Sequence, residues 1–290
     1  MGKVAGAATK SFLPEETFVA FVGAELLYCN YASGEWAWGS AVSPLGSAPL
    51  AVPEHAAIVK LDREKHNCEH SHAFVLGGLS PQGAVLNWAF GLEFKQEGSV
   101  DGGAEMKLGA GYSDESFVLP TPRMMHQACI VGGANGNQLL LVIGGKEGAA
   151  ASNCQYSASV LAFDLKLVFE PWLKGTSTEV DAAHRWRAVA SMNSARANFA
   201  TTVVDNMVYA YGGIQGRGEG ESAHVPVLAT IVAERYDPGQ DAWEEIAVNG
   251  APPLAAFGWT SLAAGSGQIL VLGGTDGDVI QQDVWTIDFK

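Results

Sequence analysis

Four apolar runs along the chain each stop at two consecutive glycines: Ala73–Leu76 before Gly77-Gly78, Leu139–Ile143 before Gly144-Gly145, Met207–Tyr211 before Gly212-Gly213, and Ile269–Leu272 before Gly273-Gly274. With first glycines at 77, 144, 212 and 273, the pattern recurs at intervals of 67, 68 and 61 residues. A short apolar run bounded by turn formers predicts a strand buried on both faces. Its recurrence predicts a repeat architecture. The paired glycines predict a bend with positive φ, pressed against a neighbouring backbone.

A second half of the repeat is clearest at Ile231-Val232-Ala233-Glu234-Arg235-Tyr236-Asp237-Pro238, where a strand runs into a turn and Trp243 follows. Double glycine, Tyr-Asp-Pro, and Trp seven positions after the Tyr together resemble the kelch repeat. The resemblance implies one four-stranded blade of a β-propeller per repeat. The family's entry to a blade, an Arg followed by His or an aromatic and small residues, is matched by Pro122–Ala128 with Arg123 and by Ala195–Ala200 with Arg196.

On this reading the fold is all-β, a kelch-type propeller forming a single domain over residues 1–290 with five recognisable blades. The first takes Thr17–Val22, Glu25–Tyr31 and Glu35–Ala41, and the second runs from His55–Leu61 through Leu86–Phe90 to Leu119. The third begins at Arg123 and uses Gln127–Val131, Val160–Asp164 and Trp186–Ala190, with Phe163 in place of Tyr and an insertion of about twenty residues before Trp186. The fourth is Arg196–Val248, and the fifth has Gly258–Ala263 and Asp283–Asp288. A sixth blade within Ser80–Leu119 stays open. The last blade is one strand short, and an open edge invites aggregation. The family's solution is to borrow a strand from the other terminus, here Lys10–Pro14.

Charge then narrows the partners. Lys and Arg number 17 against 31 Asp and Glu, a net charge of −14, which disfavours nucleic acid and anionic membranes and favours a protein with a basic surface. Met124–Gly145 lacks charge but is broken by His126, Asn135, Asn137 and glycines, so membrane insertion is not expected. The first residues lack a signal-peptide pattern. Cys29, Cys68, Cys129 and Cys154 show no scaffold-like spacing. A cytoplasmic or other reducing intracellular compartment is expected, rather than secretion.

In a propeller, the loop between second and third strands opens on the same face as the link into the next blade. The insertions Leu79–Ala84, Lys146–Ser159, Ile214–Ala229 and Thr275–Gln282 are therefore expected to share a rim with Arg123 and Arg196. Lys146, Gln215, Arg217, His224 and Asp276 are its polar candidates. For the two arginines the competing expectation is a pairing with a carboxylate or carbonyls of the neighbouring blade. Trp186, Trp243 and Tyr236 are expected to be packing residues.

His66, Cys68, His70 and His72 occupy alternate positions and form a soft ligand set suited to Zn²⁺. A straight strand spaces them about 6 to 7 Å apart, too wide for a tetrahedral site, so no metal is assigned and the segment reads as a solvated hairpin. No cofactor is assigned either. Gly132-Gly133-Ala134-Asn135-Gly136 reads as a hairpin turn rather than a phosphate loop. Family relatives include copper-radical oxidases and a sialic acid mutarotase, but the Tyr, Cys and His set of the oxidases has no counterpart that can be assigned. The expectation is a non-catalytic interaction scaffold, or a subunit of a larger assembly. The alternative is a kelch-fold enzyme or small-ligand (sugar) binder acting at the central channel.

Overall fold

The structure is a computed structural model that describes residues 17–22, 25–30, 35–40, 53–61, 71–98, 104–108, 117–133, 135–166, 186–215, 233–249, 257–265, 267–275, 278–280 and 282–289. The chain divides into two compact units, Met1–Pro122 and Arg123–Lys290. The proposed closing strand at Lys10–Pro14 lies outside the described residues.

The first unit holds a three-stranded sheet of β1 (Thr17–Val22), β2 (Glu25–Asn30) and β3 (Glu35–Ser40), in that order. A four-stranded sheet follows, β4 (Ala57–Leu61), β5 (Ser71–Leu76), β6 (Ala89–Gly98) and β7 (Ala104–Leu108). The glycine-rich stretch beyond Ser80 thus supplies this sheet's third and fourth strands. The third begins at Ala89 rather than Leu86, because the Leu86 N–H is taken by the Gly78 carbonyl (2.9 Å), across a small loop closed by a Leu79–Val85 bridge. Phe74 is fully buried, with Phe117 edge-on to it at 5.4 Å.

In the second unit the third repeat contains β8 (Arg123–Met124), β9 (Gln127–Gly132), β10 (Gln138–Ile143), β11 (Lys146–Glu147), β12 (Gln155–Tyr156), β13 (Val160–Asp164) and β14 (Trp186–Val189). The fourth contains β15 (Arg196–Ala197), β16 (Ala200–Val204), β17 (Met207–Tyr211), β18 (Ile214–Gln215), β19 (Ala233–Asp237) and β20 (Ala242–Ile246). The fifth contains β21 (Phe257–Gly265), β22 (Gln268–Thr275) and β23 (Val284–Asp288). The main sheets are β9-β10-β13-β14, β16-β17-β19-β20 and β21-β22-β23, all antiparallel.

Strand alternation explains why these sheets stack. Val208 and Ala210 of β17 join Leu139, Leu141 and Ile143 of β10 in one cluster, while Tyr209 and Tyr211 join Ile269, Val271 and Ile287 in another. Successive side chains of one strand point to opposite faces, so an all-apolar strand needs a sheet on each side. The fourth repeat's sheet is accordingly sandwiched between the third's and the fifth's. Their first strands approach one another. Asn206 accepts from Gly132 N (2.6 Å) and donates to Gly132 O (3.1 Å), and the Thr202 and Ser261 hydroxyls are hydrogen-bonded.

The Tyr-Asp-Pro…Trp element ties the outer strands. Asp237 Oδ1 accepts from Gly239 N (2.7 Å), making the turn into β20. Asp241 Oδ1 then accepts from the Tyr236 hydroxyl and from Ala190 N, both at 2.8 Å, while Trp243 Nε1 donates to Ala190 O (2.9 Å). Trp243 is half-buried in the cluster between the two sheets, as expected of a packing residue. In the third repeat Phe163 pairs with Trp186 in the same register as Tyr236 with Trp243, despite the long insertion, and ring separations are 5.0 and 5.2 Å.

The paired glycines act as the sequence predicts. Gly144 and Gly145 have φ of +59° and +93°, and a Cβ on Gly145 would lie 2.6 Å from His126 Cβ and 2.7 Å from Met124 O. At Gly273, with φ +70°, no atom among the described residues lies within 4 Å of such a Cβ. Gly145→Ala is therefore expected to cost about 3 kcal/mol or more, combining strain and overlap, against about 1 kcal/mol for Gly273→Ala. Urea denaturation of the two variants measures the difference; equal losses would show that the third repeat's bend is not held against its entry link.

Candidate functional site

At one end of the sheets in the second unit, the loops behind the glycine pairs build their own small sheets. Arg123 and Met124 of β8 pair with Glu147 and Lys146 of β11, which pairs in turn with β12. Arg196 and Ala197 of β15 pair with Gln215 and Ile214 of β18. In both repeats the link entering a sheet lies antiparallel to the residues leaving its glycine pair. In these two repeats the link and the first residues of the insertion therefore share one end.

Lateral backbone bonds join these layers. Gly145 N donates to Arg196 O (2.8 Å), and Arg196 N donates to Ser157 O (3.2 Å). Asn198 N donates to Met125 O and Gly258 N to Asn198 O, each at 2.8 Å. Met125, Asn198 and Gly258 occupy equivalent places in their repeats and all have positive φ, at 55°, 57° and 73°. Gly258 and Asn198 belong to types that favour this conformation, whereas Met125 does not and escapes sequence reasoning.

Both entry arginines are buried. Arg196, 0% exposed, donates through Nη1 to Gly212 O (3.1 Å) and through Nη2 to Glu234 Oε1 (2.6 Å). Glu234 on β19 is also 0% exposed and accepts from Asn193 N (2.6 Å) and Ser194 N (3.2 Å). Burial draws the Arg196 guanidinium below its ordinary pKa, with Glu234 opposing; an arginine nonetheless keeps its charge. Arg123, 1% exposed, donates to Gly144 O (3.2 Å) and Ser159 Oγ (3.2 Å) and pairs with Glu147 at 2.9 Å. The Ser157 and Ser159 hydroxyls both donate to Glu147, which is 26% exposed. Burial again lowers the arginine, Glu147 opposing.

Among the described contacts, each arginine thus binds a carboxylate and a glycine carbonyl of its own repeat. The carboxylate comes from different places. Glu234 stands opposite Ala210 on a core strand, and the corresponding position opposite Val142 is Leu161. The third repeat draws its acid from the insertion instead. Glu234 shares a strand face with Tyr236, two residues on, and an acid at that inward register is the signal that could have found it.

Among the other candidates, Lys146 is half-buried with Nζ 4.5 Å from the centre of the Tyr156 ring, and Gln215 is half-buried on β18. Arg217, His224 and Asp276 lie outside the described residues, as do His66, Cys68 and His70. His72 sits within β5, opposite Leu61 and Glu93, and is buried rather than part of a solvated turn. Burial pushes the Cys129 thiol up to about 12 and also raises Cys154 against Lys146, which suppresses thiolate chemistry at neutral pH.

The two ion pairs differ in how much protein surrounds them. Glu234→Gln is expected to cost about 3 kcal/mol, because it leaves a buried guanidinium without its counter-charge. Glu147→Gln, at a partly solvated carboxylate, is expected to cost about 1 kcal/mol or less. Chemical denaturation of both variants tests this; a Glu147 variant as damaged as the Glu234 one would refute the distinction.

A family model described as the Kelch motif matches residues 195–247. An F-box/kelch-repeat protein of Arabidopsis thaliana is 34% identical over 119 residues, covering 41% of this chain and 26% of that protein. Kelch-like protein 34 of Homo sapiens is 29% identical over 165 residues, covering 55% of this chain and 21% of that protein. The chain thus spans about a quarter or less of the length of these curated relatives. Together with antiparallel sheets that end in paired glycines, buried entry arginines and the Tyr236–Trp243 clamp, these matches identify a Kelch motif at residues 195–247 and support a kelch-repeat character for the chain.

Proposed function

We propose that the chain is a non-catalytic propeller scaffold that binds a partner protein through the loop layer behind its glycine pairs, as an interaction module or as a fixed subunit of a larger assembly. The observation that carries this reading is the pair of short sheets, β8-β11-β12 and β15-β18, braced from beneath by buried Arg123 and Arg196. Loops on a rigid base lose little entropy on binding. In this reading Arg123 and Arg196 position the loops, while Lys146, Gln215, Arg217, His224 and Asp276 face the partner. An excess of acidic residues, 31 against 17, selects a basic partner surface in a reducing intracellular compartment. We also propose that the repeats form a single kelch-type domain of five or six blades, the last closed by Lys10–Pro14.

Affinity purification of the full chain from its native source, with lysine cross-linking and mass spectrometry, tests the reading. A stoichiometric protein cross-linked at Lys146, and lost from a Lys146→Glu, Gln215→Glu double variant that melts like the parent, is the expected result. Absence of any protein partner, together with a stoichiometric metabolite or glycan that raises the melting temperature, would overturn it. Deleting residues 1–14 should lower the melting temperature sharply; a truncated chain that melts unchanged would remove the closure.

A further inference from the structure

The large apolar side chains exposed among the described residues are Trp88 (51%), Val279 (57%), Ile280 (76%) and Val284 (57%). All four lie in, or just beyond, a loop that follows a glycine pair. Three of them fall within six residues in the fifth repeat. Ile280 is not merely a loose loop tip, because an antiparallel bridge between Thr275 and Ile280 pins its backbone. Three exposed aliphatic side chains gathered within six residues, unlike one scattered singly, point to an interaction surface.

Charge identifies the occupant. Asp278 and Asp283 flank the aliphatic group and are both exposed. From Tyr236 to Phe289 the sequence has eight acidic residues and no Lys, Arg or His. A second copy of this face would bring like charges together, whereas a cationic segment would neutralise them. We propose that Asp278, Val279, Ile280, Asp283 and Val284 form a docking patch for a protein segment that alternates basic and aliphatic residues. This inference rests on the protein-binding reading of the loop layer and assigns the partner's chemistry to one loop. The segment's aliphatic groups cover Val279, Ile280 and Val284, and its ammonium or guanidinium groups reach the two carboxylates.

The probe is a short fluorescein-labelled peptide alternating lysine and leucine, titrated with the full chain at physiological salt and read by anisotropy. Peptides with lysine replaced by glutamate, or leucine by serine, serve as controls. Saturable binding of the lysine–leucine peptide is expected, weakened about tenfold by a Val279→Ser, Ile280→Ser double variant and about threefold by Asp283→Asn, since burial outweighs an exposed charge. Glu244→Gln, at an exposed acid on β20, should leave it unchanged. No saturable binding, equal binding to the double variant, or equal binding of the glutamate peptide would overturn the proposal. So would a concentration-dependent dimer in sedimentation that the double variant abolishes, because the patch would then face a second copy. Purification from the native source separates the two readings: a partner that still travels with the double variant sinks the patch alone, while no partner with either form sinks the broader reading.

Discussion

Crowding at the paired glycines is the constraint on which the second unit depends. At Gly144-Gly145 the bend makes contact with Arg196 O, Met124 O and the Ser159 carbonyl within hydrogen-bond or van der Waals distance. No side chain fits there. The bend is thus where one repeat's strand, its own entry link and the next repeat's entry link meet. The Gly144 and Gly212 carbonyls, turned by that bend, are the acceptors that Arg123 and Arg196 reach. A backbone device therefore sets the arginines, and the arginines set the loops.

Much of this was legible in the sequence because it is carried by residue types with few alternatives. Consecutive glycines after an apolar run, and Tyr236 seven positions before Trp243, each have one obvious structural use. The register of Phe163 with Trp186 survives the insertion because the cross-strand ring contact, not the chain between, fixes it. The arginine partners were less legible. A guanidinium accepts any carboxylate that reaches it, so Glu234 from a core strand and Glu147 from an insertion do the same work from unrelated positions. The left-handed Met125 was illegible for a related reason: tertiary backbone bonds hold it there against its own preference.

Division of labour follows within each repeat. Among the described residues of the third and fourth repeats, the main sheets bury most of their apolar side chains between neighbours, while the short sheets behind the bends carry the variation. The third repeat anchors its insertion with the part-exposed Glu147 and two serines, whereas the fourth holds Arg196 and Glu234 wholly inside. The same architectural joint is thus wetted in one repeat and firmly sealed in the next.

The run from Met125 through Asn198 to Gly258 is made of main-chain atoms alone. Its bonding does not depend on which side chains each copy carries, provided the left-handed turn is kept. A duplicated module could dock on its predecessor before acquiring any complementary residues, and its side chains were then free to diverge. That freedom accounts for a Met, an Asn and a Gly serving at one place in successive modules, and for outer loops as dissimilar as those of this chain growing from a common frame.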